Sequence, residues 1–124
     1  MSTPSFITPN LIFFSVVVPV MNEADNVRPL IDEIVAALRG VTPFEIVYVD
    51  DGSTDGTLDA LKAARTEVPE LRIVAHTRNS GQSAGVRTGV KAARAPLVAT
   101  LDGDGQNDPA DIPKLLAAYR AAPA

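Results

Sequence analysis

Four short runs of this chain are almost continuously apolar: Leu11 to Val20, Phe44 to Val49, Leu71 to Ala75 and Leu97 to Leu101. A strand buried on both faces requires continuous rather than alternating apolar character, so these runs predict strands of a parallel sheet. Their C-terminal ends fall near Val20, Asp50, His76 and Asp102, spaced by 30, 26 and 26 residues, close to the ~30 residues of a β-α-β unit.

Between the runs the period becomes helical. Val27, Leu30, Ile31, Ile34, Val35 and Leu38 share one helical face, and Gly40 ends that helix. Proline is tolerated in a first turn, so Pro29 predicts a start near Val27 with Asn26 as cap, leaving Asn22 to Asp25 as loop. Leu58, Leu61 and Ala64 mark a second helix, for which Ser53 or Thr54 offers a cap. Ala84, Val86, Val90 and Ala93 mark a third, whose Gly85 and Gly89 would allow close packing on a sheet, and a fourth begins around Asp111. The alternation predicts an α/β, Rossmann-like, mostly parallel sheet with helices on both faces. Right-handed crossovers then gather every strand's C-terminal end on one edge, where ligands of such sheets bind. With no internal repeat and no linker, residues 1–124 read as one domain.

Composition acts mainly by exclusion. The absence of cysteine removes disulfides, thiolate metal sites and a Cys nucleophile. A net charge of -4 and a pI near 4.8 argue against a nucleic-acid platform. The run Leu11 to Val20 is about half the ~20 residues of a membrane-spanning helix. Met1 to Asn10 lacks the Lys or Arg of a secretory signal, so the expectation is a cytoplasmic protein.

Four polar segments, "MNEADN", "DDGSTDGT", "HTRNSGQS" and "DGDGQND", collect at the predicted edge. In the second, Gly52 and Gly56 permit tight turning, and the adjacent carboxylates Asp50 and Asp51 can accept hydrogen bonds from a base or a ribose. The lone His76 reads as a half-exposed strand terminus rather than a catalytic group. Gly81 stands at a helix start whose backbone N–H groups form a candidate anion cradle, with Arg78, Arg87 and Lys91 nearby. In the fourth segment, Asp102 and Asp104 flank a glycine and can bring oxygens to one hard cation, with water and phosphate completing its shell as Mg²⁺ prefers. An EF-hand loop is excluded, because its sixth position would be Asn107 and its twelfth Pro113. A capped turn with Asp108 or Asp111 would explain one carboxylate of this segment and leave two.

Taken in order, "VVVPVMNEADN", "IVYVDDGSTDGT", "RNSGQSAGVRTGVKAA" and "VATLDGDGQNDPADI" closely resemble the N-terminal part of family 2 glycosyltransferases with the GT-A fold. The likeness is strongest to the branch that includes dolichol-phosphate mannose synthase and bacterial polyprenyl-phosphate sugar transferases, and it covers about residues 12 to 118. The resemblance implies that Pro19, Asn22, Glu23, Asp50 and Asp51 face the nucleoside, with Ser53 and Gly81 among the nucleotide-binding positions. It places Asp102 and Asp104 at the diphosphate through Mg²⁺ or Mn²⁺, with Gln106 as a further metal ligand and Asp104 as the catalytic position. It also implies a UDP- or GDP-sugar donor and, for the full-length protein, a lipid-phosphate acceptor at the cytoplasmic face of a membrane.

Relatives continue beyond this motif into an acceptor-binding half, so the chain is expected to be the donor-binding part alone, truncated after the Asp-x-Asp motif. Self-association through the uncovered face is expected, with Leu115, Leu116 and Tyr119 contributing. Two alternatives stay open: a nucleotide-sugar-binding module without turnover, and a metal-dependent phosphohydrolase.

Overall fold

The structure is a computed structural model that describes residues 12–104 and 108–121, the side chains of 115 and 119–121 excepted. Its elements run β1 (Phe14–Val20), α1 (Ala24–Leu38), β2 (Phe44–Asp50), α2 (Thr57–Arg65), β3 (Leu71–Ala75), α3 (Gln82–Ala92), β4 (Leu97–Thr100), a 3-10 turn (Pro109–Asp111) and α4 (Ile112–Ala121). The four strands form one sheet in the order β3-β2-β1-β4, and every pairing is parallel. All seven residues of β1 and all seven of β2 are buried, which explains why their sequences carry no polar alternation.

The order reverses at β1. From β1 to β3 the chain steps outward in one direction, then crosses back so that β4 pairs with the free side of β1. Right-handed crossovers in opposite directions place their helices on opposite faces. Phe14, Val16, Val18 and Val20 accordingly join Ile46, Tyr48 and Leu61 and the apolar stripe of α1 in the larger core, with Ile112 of α4. The other face buries Val17, Val47 and Val49 beneath α3. There α3 turns Gly85 and Gly89 inward, and a methyl at Gly89 would lie 2.3 Å from Val17 Cγ1. Val86 and Val90 do not mark the buried face as their periodicity predicts: Val86 is half-buried and Val90 is 46% exposed. Close approach of the two glycines takes the place of a side-chain stripe.

Several predicted boundaries shift for physical reasons. Helix α1 starts at Ala24, one turn before the predicted start, so Pro29 lies inside it. Its early N–H groups are met from elsewhere: Thr57 Oγ1 accepts from Glu23 N at 2.9 Å and Asp55 Oδ2 from Ala24 N at 3.4 Å. Asn26 does not cap; its Nδ2 donates to Glu23 Oε1 at 2.7 Å. Neither Ser53 nor Thr54 caps α2, whose first N–H, on Thr57, is taken by Asp55 Oδ1 at 2.9 Å. Leu116 is 2% exposed, on a helix packed against α1, so it cannot serve as an exposed association surface. The Leu115 and Tyr119 side chains lie outside those described.

A polar network closes the end of the sheet remote from the strand C-termini. Glu45 on β2 is buried, yet its carboxylate accepts from Ser15 Oγ at 2.6 Å, Arg94 N at 2.7 Å and Arg72 at 2.9 Å. Arg72 also donates to Ala92 O at 2.8 Å, so the network holds the C-terminal end of α3. Burial pushes the Glu45 carboxyl up, and the Ser15, Arg94 and Arg72 donors outweigh it, leaving the group below its ordinary value of 4.5. Tyr48 is the opposite case: its buried hydroxyl has no partner among the described residues, and burial pushes its ionisation up.

Two outcomes follow from these groups. A carboxyl depressed on folding contributes stability that is fully present above its unfolded value and lost as pH falls through its folded value. Urea unfolding should therefore show the stability of the parent falling as pH drops below about 4. Glu45→Gln, which turns an amide donor toward Arg72 or the Arg94 N–H, should cost about 2–4 kcal/mol at pH 7 and flatten that acid limb. Tyr48→Phe removes an unsatisfied hydroxyl and should be neutral or raise stability by about 1 kcal/mol in the same titration; a loss above that would reveal a partner for the hydroxyl.

Candidate functional site

The parallel ladder continues past the assigned strands and sets the start of each loop. Val20 O accepts from Asp51 N at 2.8 Å, Asp50 O from His76 N at 2.8 Å and Val17 O from Leu101 N at 3.0 Å. Beyond these bonds a cleft of about 430 Å³ opens, lined by Pro19, Val20, Met21, Glu23, Asp51, Asn79, Gly81, Gln82, Asp102, Gly103 and Asp104. Its floor is the C-terminal end of β1, where β2 lies on one side and β4 on the other. Open α/β sheets hold ligands at such a point of strand-order reversal.

Of the residues singled out from sequence, Pro19, Glu23, Asp51, Gly81, Asp102 and Asp104 are brought together on this lining. Asn22, Asp50 and Ser53 are not on it. Asn22 adopts a left-handed φ of 56°, and its Oδ1 accepts from Thr54 N at 2.8 Å and Asp55 N at 3.2 Å. Ser53 Oγ accepts from Asn22 N at 2.9 Å, and buried Asp50 accepts from Ser53 N at 3.2 Å. Asn22 and Ser53 tie the first loop to the second, and Asp50 holds Ser53 within the second. Gln106 lies outside the described residues.

Asp51 is buried and almost fully engaged. Its Oδ1 lies 2.8 Å from His76 Nδ1 and accepts from Ser80 N at 2.8 Å, while Oδ2 accepts from Gly81 N at 2.9 Å. Burial pushes this carboxyl up; the His76 hydrogen bond and the Ser80 and Gly81 N–H groups outweigh it and hold the group below the usual carboxylate range. A carboxylate has about four acceptor positions. Three are filled here, which leaves roughly one, on Oδ2, for a donor in the cleft. The His76 ring, read from sequence as a half-exposed terminus, does follow the end of β3 at intermediate exposure, and both of its nitrogens are hydrogen-bonded.

Asp102 and Asp104 are exposed on the opposite wall, and Gln82 Nε2 donates to Asp102 Oδ1 at 3.2 Å. The intervening glycine has a steric reason: a Cβ on Gly103 would lie 2.2 Å from Val20 Cγ1 and 3.1 Å from Pro19 O. Only a bare backbone lets the segment lie against the end of β1 and hold both carboxylates at the cleft. Downstream, Asp108 accepts from Ala110 N at 3.0 Å, so Asp108 caps the turn that follows. Two carboxylates are a hard, all-oxygen donor set that suits Mg²⁺ or Mn²⁺ with water and phosphate as remaining ligands. Among the described residues no group of three or more His, Cys, Asp or Glu could hold a metal ion.

Sequence reasoning missed Met21, Asn79 and Gln82 on the lining. Asn79 and Gln82 flank Gly81 closely enough for the candidate cradle to have included them. The contact between the second and third loops was less accessible from sequence: a Cβ on Gly52, at φ 74°, would lie 2.5 Å from Asn79 N. Arg78, Arg87 and Lys91 are exposed and none lines the cleft.

A parallel sheet with a carboxylate-lined crevice at its reversal point defines a Rossmann-like ligand-binding domain. The family model described as Glycosyl transferase family 2 matches residues 15–124, and the chain belongs to that family. It is 47% identical over 104 residues to a dodecaprenyl-phosphate galacturonate synthase of Rhizobium johnstonii, covering 82% of this chain and 31% of that protein. It is 42% identical over 105 residues to an undecaprenyl-phosphate 4-deoxy-4-formamido-L-arabinose transferase of Yersinia enterocolitica, covering 82% of this chain and 32% of that one. Among solved structures, the Pyrobaculum calidifontis mannosyltransferase in complex with GDP-Man and Mn²⁺ superimposes with a TM-score of 0.77 at 28% identity, covering 89% of this chain and 32% of that one. The S. aureus TarS fragment in complex with UDP-GlcNAc gives 0.74 at 29% identity, covering 87% and 31%. The fold is thus the GT-A, Rossmann-like arrangement of these glycosyltransferases. The chain spans about a third of the length of the relatives it matches.

Gly103 offers a direct check on how the carboxylates are held. Gly103→Ala forces a methyl into Val20 and Pro19, and overpacking of this kind costs about 1–3 kcal/mol. A drop of that size in urea unfolding is the expected result. An unchanged midpoint would mean that the Asp102–Asp104 segment is not seated on β1.

Proposed function

We propose that this chain is the donor-binding part of an inverting glycosyltransferase, which holds a nucleotide-activated sugar for transfer to a polyprenyl phosphate. The observation that carries this reading is the convergence of Asp102 and Asp104, the start of α3 and Asp51 on one cleft at the end of β1. Membership of family 2 and likeness to polyprenyl-phosphate sugar transferases support it. The nucleoside lies on the side of Pro19, Glu23 and Asp51, where the remaining acceptor position of Asp51 meets an N–H or hydroxyl donor. The diphosphate lies toward Asp102 and Asp104.

A nucleoside diphosphate brings two to three negative charges beside two carboxylates on a chain of net charge -4. That approach is repulsive without a counter-ion, increasingly so as water is excluded. Asp102 and Asp104 would hold Mg²⁺ or Mn²⁺, which would supply Lewis-acid neutralisation of the departing diphosphate. In the transfer, an acceptor phosphate oxygen forms a bond to the anomeric carbon as the bond from that carbon to the diphosphate oxygen breaks, and the electron pair leaves with the nucleoside diphosphate. An acceptor that is already an anion needs no proton removed. Among the residues lining the cleft, no His, Lys or Ser is required as base or nucleophile.

The alternative reading, a nucleotide-sugar-binding module without turnover, is not favoured by the family match or by the relatives named above. The family match and the mannosyltransferase structure named above do not favour a phosphohydrolase. No helix among the described residues is long and apolar enough to cross a membrane.

Calorimetric titration separates these readings. UDP or GDP is expected to bind more tightly with millimolar Mn²⁺ or Mg²⁺ than with EDTA, and the matching nucleoside to be indifferent to metal. Asp104→Ala should abolish the metal effect while sparing nucleoside affinity. Diphosphate binding of equal strength in EDTA would remove the cation from the site. Metal-dependent binding without sugar transfer to a polyprenyl phosphate by the same preparation would select the module.

A further inference from the structure

We propose that His76, braced by Thr88, is a positioning residue that orients Asp51 and through it shapes the start of α3 that forms the cleft wall. His76 is not on the lining. It follows β3 with its N–H bound to Asp50 O, and its ring joins two elements: Nδ1 lies 2.8 Å from Asp51 Oδ1 and Nε2 lies 2.8 Å from Thr88 Oγ1 on α3. The Asp51 carboxyl is held below its ordinary range, so it is an acceptor and His76 Nδ1 must carry the proton between them. The Thr88 hydroxyl can donate to a neutral Nε2 or accept from a protonated one, so the ring stays anchored in either state.

The consequence passes along a continuous set of bonds. With Oδ1 fixed by His76, the remaining direction of Oδ1 and one of Oδ2 are aimed at the successive N–H groups of Ser80 and Gly81. Gly81 has a φ of 98° and is the N-cap of α3, where no side chain caps the helix; Asp51 holds that turn from another loop. The next residue, Gln82, reaches Asp102. His76 therefore sets, from outside the cleft, the wall that connects the Asp51 side to the Asp102 side. A ring that only filled space would leave Ser80 and Gly81 where they are when replaced by an apolar side chain.

The test compares the 124-residue parent with His76→Leu, His76→Asn and Thr88→Val by amide hydrogen exchange in NMR spectra and by titration with UDP and GDP in Mn²⁺. Asparagine places a carboxamide N–H close to the position of Nδ1, whereas leucine offers none. In His76→Leu, protection of the Ser80 and Gly81 amides should fall about tenfold relative to the β1 amides, and nucleotide Kd should rise by about tenfold, the size of one hydrogen bond to a charged group. His76→Asn should restore most of both, and Thr88→Val should fall between.

Unchanged Ser80 and Gly81 protection in His76→Leu, or no recovery in His76→Asn, would overturn the proposal. Should His76→Leu lose β1 protection as well, Thr88→Val decides by the same amides. The titration arm rests on the nucleotide reading; the amide arm does not. A parent that binds neither UDP nor GDP would end that reading, while the exchange data still decide the role of His76.

Discussion

Strand β1 is hydrogen-bonded on both sides, to β2 along its whole length and to β4 over four residues, and everything at the site hangs from that double pairing. A strand in this position is excluded from water, so its sequence is apolar except for Ser15, whose hydroxyl is spent on Glu45, and it can supply little chemistry to the site. Its contribution is a rigid end. Val20 O fixes Asp51, Val17 O fixes Leu101, and the glycine between the two acidic residues lies against Val20 and Pro19. The cleft is the space left at the end of β1 where the segments that follow the four strands diverge.

The carboxylates at this edge divide by environment. Asp51 is buried and satisfied by neighbouring donors, and it orders a turn while keeping about one acceptor position toward the cleft. Asp102 and Asp104 are exposed. Adjacent carboxylates in water repel weakly and cost little to hold; the same pair beside a diphosphate in an excluded cleft does not stay comfortable without a cation. Two kinds of acidic residue that look alike in the sequence therefore sit in different environments, the first buried and ordering a turn, the second exposed on the cleft lining.

Much of the fold was legible because burial on two faces leaves an unmistakable apolar run, and four such runs with helical intervals leave few topologies. The site was legible as a set of loops on one edge, since crossover handedness alone brings the strand ends together. What the sequence did not disclose was long-range hydrogen bonding. The start of α1 was misplaced because Thr57 and Asp55, more than thirty positions downstream of Glu23 and Ala24, hold its first N–H groups. The ring partners of His76 stayed hidden because neither Asp51 nor Thr88 is near it in the chain. Asn22 and Ser53 carry the polarity of contact residues yet spend it on each other's loops. Local pattern reports what a segment can bury and is silent about which distant segment satisfies it.

The borrowed first turn of α1 bears on how the chain folds. A helix with its own N-terminal cap can form early and dock later, whereas α1 depends for its first turn on side chains that arrive only after β2 has paired with β1 and the chain has turned toward α2. Contacts of that sequence separation close a large loop before they return any energy. The segment from β1 to the start of α2 is therefore tied together by long-range hydrogen bonds, and a peptide of α1 alone would lack the partners of its first turn, at the end that borders the cleft.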